Sequence, residues 1–126
     1  MLSKAVATAT LPAVDLKRAR KFYEEKLGLK VVKEDPSPAI TVEAGKGTNI
    51  YIYQRGATKA DHTVVNFTVD DVEAEVKALK AKGVKFEEYN IPSMGIKTVN
   101  SIATMDGYKG AWFKDTEGNI LGISNM

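Results

Sequence analysis

The chain of 126 residues contains no cysteine, one histidine and one tryptophan. The absence of cysteine excludes disulfide bonds, thiolate catalysis and cysteine-ligated metal sites. No stretch approaches the roughly 18 consecutive apolar residues that a membrane-spanning helix needs. The start of the chain, MLSKAVATATLP, lacks the long apolar segment of a signal peptide. We therefore expect a soluble, cytoplasmic protein that has no membrane partner.

The chain also lacks any block of charge of one sign. Eighteen basic and 16 acidic residues are spread along it and leave a formal net charge of +2. Basic helix positions such as Lys17, Arg18 and Lys21 have no aromatic residues interleaved for stacking on bases, so they are interpreted as solvated charge. The composition, 44% hydrophobic and 27% charged, is ordinary for a globular protein. We expect no nucleic-acid partner.

The chain contains two copies of one pattern, in which a strand is followed by a helix and then by several strands. Asp15 and Asp71 each precede a run of apolar residues at helical spacing and are predicted N-caps, and Gly28 and Gly83 are predicted to end the two helices. Alternating apolar runs bounded by Gly, Pro and Asp predict the strands. The expected helices are 15–27 and 71–82, the connector is 54–61, and the expected strands are 5–14, 29–33, 39–44, 49–53, 63–69, 84–88, 96–104 and a closing pair within 110–124.

The two halves align as an internal repeat. A shift of 56 residues places Asp15 on Asp71 and Leu11 on Phe67, and the segment ITVEAGKGTNIYI resembles AWFKDTEGNILGI. Four elements recur in the same order, which is a strong signal of duplicated structural units. The sequence therefore predicts a single α+β domain made of two βαβββ modules, residues 1–55 and 62–126, whose sheets form a curved cleft.

Strand alternation divides the side chains of these strands into two faces. The apolar face is expected to pack against the helices and comprises Leu11, Ala13, Ile40, Val42, Ile50, Ile52, Val65, Phe67, Val69, Phe113, Leu121 and Ile123. The opposite face mixes aromatic rings with hydroxyl and amide groups, which is typical of a small-molecule pocket. The alternative is that the aromatic rings fill space or bury a dimer contact. The candidate ligand-binding residues are Thr8, Thr10, Asn49, Tyr51, Tyr53, Val64, Asn66, Tyr108 and Trp112.

Three segments resemble the vicinal oxygen chelate superfamily, which includes glyoxalases, bleomycin resistance proteins and extradiol dioxygenases. They are LPAVDLKRARKFYEEKLGLKVV, FTVDDVEAEVKALKAKGVKF and WFKDTEGNILGI, the last being similar to the closing Phe-x-Asp-Pro-x-Gly-Asn pattern of the family. The resemblance covers nearly the whole chain. It implies paired βαβββ modules that are usually completed as a homodimer.

The resemblance also implies where a metal would be held. Enzymes of this family bind a divalent metal through inward His, Glu or Gln side chains, and the metal polarises a substrate with two adjacent oxygens. The corresponding positions here are Thr8, Val64, Gly122, and either Tyr51 or Tyr53. Gly122 stands where the family usually has a glutamate. We therefore expect no bound metal and no other cofactor.

His62 is the one histidine that could replace a missing ligand. It could act as a displaced ligand or as a general base, since imidazole titrates near neutral pH. The alternative is a histidine at the end of the connector with no chemical role, and this interpretation is favoured because one imidazole does not make a metal site.

Residues 89–110 form a long, glycine-punctuated segment with Met94, Met105 and Tyr108, which is interpreted as either a lid over a ligand or a dimer contact. For the protein as a whole, the favoured hypothesis is a metal-free module that sequesters or senses a small molecule. The alternatives are a metal-dependent lyase, isomerase or dioxygenase with a displaced site, and an interaction domain without a ligand.

Overall fold

The structure, a computed structural model, describes residues 1–125. The chain divides into two compact units, Met1–Thr58 and the part from Lys59 onwards. Each unit contains one mixed β-sheet and one principal helix. The α+β fold class predicted from the sequence is therefore confirmed. Neither principal helix among residues 1–125 has the length and apolar character needed to cross a lipid bilayer.

The first unit contains a four-stranded sheet in the order β1-β4-β3-β2. Strands β1 and β4 pair in parallel, because a helix carries the chain from β1 to β2 at the opposite edge of the sheet. The other pairings are antiparallel, because hairpins connect those strands. Short 3-10 turns occupy Leu2–Lys4 and Gly45–Gly47. The strands are β1 Ala9–Ala13, β2 Lys30–Asp35, β3 Ala39–Glu43 and β4 Asn49–Gln54.

Helix α1, Leu16–Lys21, begins where the sequence predicts it. The side chain of Asp15 accepts a hydrogen bond from the Arg18 backbone N–H at 3.1 Å, which satisfies one of the free donors of the first turn. The predicted helix continues to its end as a π-helical turn, Phe22–Lys26, rather than as regular α-helix. This turn buries Phe22 and Tyr23, and the Tyr23 side chain is fully enclosed.

The second unit contains a six-stranded sheet in the order β5-β10-β9-β8-β7-β6. Helix α2, Val72–Ala81, is capped by Asp71, whose carboxylate accepts from the Ala74 N–H at 3.0 Å. The buried face of α2 packs on the sheet through Val72, Val76 and Ala111. A 3-10 turn covers Pro92–Met94, and the strands are β5 Thr63–Thr68, β6 Asn90–Ile91, β7 Ile96–Val99, β8 Ile102–Met105, β9 Tyr108–Lys114 and β10 Ile120–Ser124.

The two sheets share one plan at their parallel edge. β5 pairs with β10 in parallel, as β1 pairs with β4, and each parallel pair is followed by an antiparallel partner. The predicted apolar face is the buried one at most positions. Nine of its twelve residues are fully buried, and the other three, Val65, Phe67 and Val69 in or just after β5, are half-buried.

Three strand predictions need correction. The predicted strand 84–88 is wrong: a single antiparallel bridge joins Phe86 to Phe113, and the rest of the segment is irregular. The predicted strand 96–104 is two strands, β7 and β8, because Asn100 and Ser101 take positive φ angles of 51° and 76° and turn the chain. β1 begins at residue 9 rather than 5. The segment predicted as a lid or dimer contact, 89–110, extends the second sheet with the hairpins of β6, β7 and β8.

Candidate functional site

The candidate residues fall into two groups, one on each unit. In the first unit, a row of side chains runs across all four strands: Thr10 pairs with Tyr51, Tyr51 with Thr41, and Thr41 with Lys33. This row borders an open depression of about 530 Å³. Its lining residues are Thr8, Thr10, Val32, Lys33, Asp35, Thr41, Asn49 and Tyr51.

The depression of the first unit combines polar and apolar side chains, and its two charged residues are paired. Lys33 Nζ lies 3.5 Å from Asp35 Oδ1, and the Thr10 hydroxyl donates to the Thr8 carbonyl at 3.3 Å. Tyr51 and Tyr53 project from the same face of β4, and their rings are nearly parallel, with an interplanar angle of 17° and centroids 6.4 Å apart. Tyr53 is a predicted site residue that does not line the depression.

In the second unit, Asn66, Gly122 and Trp112 form one row across β5, β10 and β9. The Asn66 side chain donates from Nδ2 to the Ser124 hydroxyl, two residues along β10, at 2.9 Å. Asn66 is exposed and Trp112 is half-buried. The structure therefore brings together two of the predicted site residues, an amide and an aromatic ring, with a glycine between them.

Side chains of neighbouring residues occupy the space beside Gly122. A Cβ atom at this position would lie 2.8 Å from Asn66 Oδ1, 3.3 Å from the Thr63 methyl carbon and 3.5 Å from Trp112 Cδ1. A real Cβ essentially never comes within 3.0 Å of another heavy atom, so any side chain here would displace Asn66. The mid-strand glycine thus permits the close approach of neighbouring side chains.

A register shift at the start of β10 alters the face assignment of β5. Ile120 pairs with Thr63 and Leu121 with Val65, so Val64 falls in a bulge. The bulge brings the Thr63 methyl group to the Gly122 face, where simple alternation had predicted Val64. Alternation could not reveal this, because a bulge inserts one unpaired residue and changes the phase of the strand.

Trp112 lies along the sheet rather than standing away from it. Its Cδ1 atom lies near Gly122, and its Cη2 atom would be 3.6 Å from a Cβ at Gly110, two residues earlier in β9. The ring of Tyr89 packs against the indole at an angle of 59°, with centroids 5.6 Å apart. Burial, with a smaller contribution from Glu87, raises the pKa of Tyr89, so its phenol is neutral at physiological pH.

A hydrogen-bond cluster holds Tyr89 beside the indole. The Tyr89 N–H donates to the Thr98 hydroxyl at 2.8 Å, and the Thr98 hydroxyl donates to Glu88 Oε1 at 2.7 Å. The Glu88 carboxylate also accepts from the Ser101 N–H and hydroxyl, each at 3.1 Å. The Thr98 hydrogen bond, supported by those from Ser101, lowers the pKa of Glu88. This cluster joins the β7–β8 hairpin to the segment that carries Tyr89.

Two further predicted residues lie apart from this arrangement. Tyr108 starts β9 on the face of Gly110 and Trp112, is half-buried and pairs with Met105. His62 lies at the end of the connector with a side chain that is 72% exposed, and its Nδ1 is 3.2 Å from Asp61 Oδ1. The role of His62 stays a prediction.

The residues at the family's ligand positions do not fit a divalent metal. Thr8 is an exposed hydroxyl, Val64 is apolar, and Gly122 has no side chain and no room for one. Across residues 1–125, no group of three or more His, Cys, Asp or Glu side chains is arranged to hold a metal ion. Catalytic zinc sites use three protein ligands of these types. Whether the protein binds a metal in solution stays a prediction.

Sequence reasoning missed several residues of the second-unit group. Strand alternation could have identified Gly110, since it places Gly110 on the same face as Trp112. Like Gly122, Gly110 contributes no side chain to that face. Tyr89 was missed because it begins the segment 89–110, which was interpreted as a lid or a dimer contact, and Thr63 was missed because of the bulge. In the first unit, Lys33 and Asp35 of the depression were also missed.

The sequence model of the Glyoxalase/Bleomycin resistance protein/Dioxygenase superfamily matches residues 5–123. A search of curated protein sequences finds no match. Solved structures are similar over nearly their full length. One is a member of the same superfamily from Sphaerobacter thermophilus, with a TM-score of 0.75 and 22% identity, covering 98% of each chain.

Two similar structures come from proteins with stated activities. Lactoylglutathione lyase from Agrobacterium tumefaciens gives a TM-score of 0.69 at 19% identity, over 96% of this chain and 92% of that one. A mutant of the fosfomycin resistance protein FosX from Listeria monocytogenes, complexed with Mn(II) and dihydroxypropylphosphonic acid, gives 0.65 at 13% identity, over 97% and 90%. At these identities the similarity shows a shared fold.

Proposed function

Because the chain belongs to the Glyoxalase/Bleomycin resistance protein/Dioxygenase superfamily, we propose that it binds a small molecule, to sequester or sense it, without the metal of the family's enzymes. The proposal concerns ligand binding rather than turnover. The ligand would be held by aromatic and polar side chains on one face of a single sheet.

The observation that carries the proposal is the packing around Gly122. The resemblance to the superfamily puts a metal-ligating glutamate at this position. Here the Asn66 carboxamide occupies the space that such a side chain would need, with its Oδ1 atom 2.8 Å from the Cβ position. Asn66 is itself fixed by its hydrogen bond to Ser124. A side chain at 122 would therefore displace the Asn66 carboxamide from this position.

The polar and aromatic side chains on each sheet support recognition of an organic molecule. The first unit offers hydroxyl and amide groups around Tyr51, and the second offers an indole beside a carboxamide. Small-molecule sites in proteins combine apolar and aromatic surface with a few polar groups that fix the orientation of the ligand. The similar lyase and the Mn(II)-bound FosX protein carry out other chemistry on this scaffold, and a shared fold does not transfer an activity.

Metal analysis and native mass spectrometry of the purified protein test the proposal together. Metal content measured after purification without chelators is expected to be far below one ion per chain. Native mass spectra of the same sample are expected to contain a population whose excess mass is lost on denaturation, corresponding to a copurified organic molecule. One tightly held divalent ion per chain would contradict the proposal and favour the enzyme alternative.

A further inference from the structure

The indole of Trp112 forms a flat surface supported by two glycines. One end of the ring system lies over Gly122 and the other end over Gly110, where Met105 Cε also lies 3.6 Å from the Cβ position. The ring lies along the sheet, with Cδ1 3.5 Å from the Cβ position of Gly122 and Cη2 3.6 Å from that of Gly110. Trp112 is half-buried, so part of its side chain is accessible. The tilted ring of Tyr89 limits this surface on one side.

A polar group lies beside this surface. Asn66 uses one Nδ2 hydrogen to bond Ser124, and its Oδ1 atom points to the space above Gly122, next to Trp112 Cδ1. A primary amide has two donor hydrogens and an acceptor oxygen with two lone pairs. Asn66 therefore retains a donor and an acceptor for a ligand, on an exposed side chain.

The charged side chains beside Trp112 and Tyr89 already have partners, and Glu88 is hydrogen-bonded to Thr98 and Ser101. Lys114, two residues after Trp112 on β9, lies 3.4 Å from Glu87 and forms an ion pair with it. Tyr89 is a neutral phenol. A charged ligand would lose its hydration here without gaining a partner of opposite charge, whereas an uncharged ligand would not.

From this geometry we infer that the Trp112 surface takes a planar, uncharged aromatic ligand that bears a carboxamide or a similar paired donor and acceptor. The ring stacks on the exposed face of the indole, and the polar group pairs with the carboxamide of Asn66. The inference rests on the proposed function and names the class of ligand for the second-unit face.

Three matched probes test this ligand class: benzamide, cyclohexanecarboxamide and benzoate. The first two carry the same uncharged carboxamide and differ in the planarity of the ring, and the third keeps the aromatic ring but is anionic. Trp112 is the one tryptophan, so the 15N-labelled protein gives a single indole N–H signal. Benzamide is expected to shift that signal saturably. Cyclohexanecarboxamide and benzoate are each expected to bind about tenfold more weakly, since they lose the stacking or the neutrality.

Substitutions locate the binding. Trp112→Phe keeps an aromatic ring but makes the flat surface smaller. Benzamide binding to this variant is followed through the Gly122 backbone amide signal. It should weaken several-fold. Asn66→Ala should weaken benzamide binding. The backbone amide signals of this variant should remain dispersed, which shows that its fold is intact. Lys77→Ala, an exposed change on α2, is the control and should bind as the wild type does.

The outcomes separate this inference from the proposed function. Equal binding of benzamide and cyclohexanecarboxamide, or an indole signal that is unmoved up to the solubility limit of benzamide, overturns the ligand class. A copurified molecule that is retained by Trp112→Phe and Asn66→Ala also overturns it, while leaving the proposed function in place. One bound divalent ion per chain overturns the proposed function instead.

Discussion

Asn66 and Gly122 are paired across the parallel strands β5 and β10, and Asn66 Oδ1 lies 2.8 Å from the Cβ position of Gly122. The side chain of one residue thus occupies the space that the other leaves free. This relationship accommodates a glycine in the middle of a buried strand, at the position where the resemblance to the superfamily implies a metal-ligating glutamate.

The Asn66–Gly122 contact predicts an energetic coupling. Gly122→Ala is expected to destabilise the protein by about 1–2 kcal/mol, because the methyl group displaces Asn66 and breaks its bond to Ser124. In an Asn66→Ala background, the same change should cost less than half as much. Urea unfolding of the two single variants and the double variant gives the coupling energy.

Gly56→Ala is the matched control for this cycle. A Cβ atom at Gly56 would meet nothing within 4 Å, so this change should be neutral or slightly stabilising. Additive effects of the Asn66 and Gly122 changes would show that Asn66 does not restrict position 122.

Excess divalent metal should leave thermal stability unchanged. A ligand at 100 times its dissociation constant stabilises a folded protein by about 2.7 kcal/mol, and the residues at the family's ligand positions offer no adequate donor set. Thermal unfolding of chelator-treated protein would be followed with and without Zn(II), Ni(II), Mn(II) and Fe(II). A reproducible rise in Tm with one of these ions, reversed by chelator, would argue for a metal site.

The Glu88 cluster predicts an acid-sensitive contribution to stability. Hydrogen bonds from Thr98 and Ser101 lower the pKa of Glu88 below its usual value of 4.5. A carboxylate with a lowered pKa in the folded state stabilises the protein above its unfolded-state pKa, and the contribution is lost as pH falls through the folded-state value. Glu88→Gln should therefore destabilise the protein at neutral pH and converge with the wild type in acid.

Urea unfolding of the wild type and Glu88→Gln, from about pH 7 to about pH 3, measures this convergence. Glu25→Gln, at an exposed position of the first unit, serves as the control. A stability difference for Glu88→Gln that stays constant across the whole range would mean that ionisation of Glu88 plays no part.

Asp71 is expected to stabilise the second unit as the N-cap of α2. Its carboxylate accepts from the Ala74 N–H at 3.0 Å, and replacing such a cap with alanine costs about 1 kcal/mol. Asp71→Ala should show this loss in urea unfolding, and Asp71→Asn should retain most of the stability. Asp70→Ala changes the adjacent acid, which is not the cap, so a loss as large as that of Asp71→Ala would refute the assignment.

A homodimer is the expected assembly. β5 ends the sheet of the second unit and β1 ends that of the first, and pairing between copies is a common way to cover sheet edges. Multi-angle light scattering at micromolar concentration should give twice the chain mass of 13.7 kDa. A mass of one chain over a range of concentrations would rule this out.

Local sequence signals determined much of the fold. Asp15 and Asp71 predicted both helix starts because an N-cap acts within one turn of its own residue. Strand alternation predicted most of the buried face because side-chain direction has a period of two. The repeat of these signals, together with the resemblance of the motifs, predicted the family.

Tertiary structure alone decided the details of the candidate site. The bulge that brings Thr63 to Gly122 changes the phase of β5, and no local pattern marks it. Phe86 pairs with Phe113 through one bridge instead of a strand, and Tyr89, three residues later, packs against Trp112. The resemblance of the sequence implies a lost ligand at Gly122, but only the structure shows that Asn66, 56 residues away in the chain and adjacent in the sheet, occupies the space beside it. Such contacts depend on strand register, which forms only when distant segments pair.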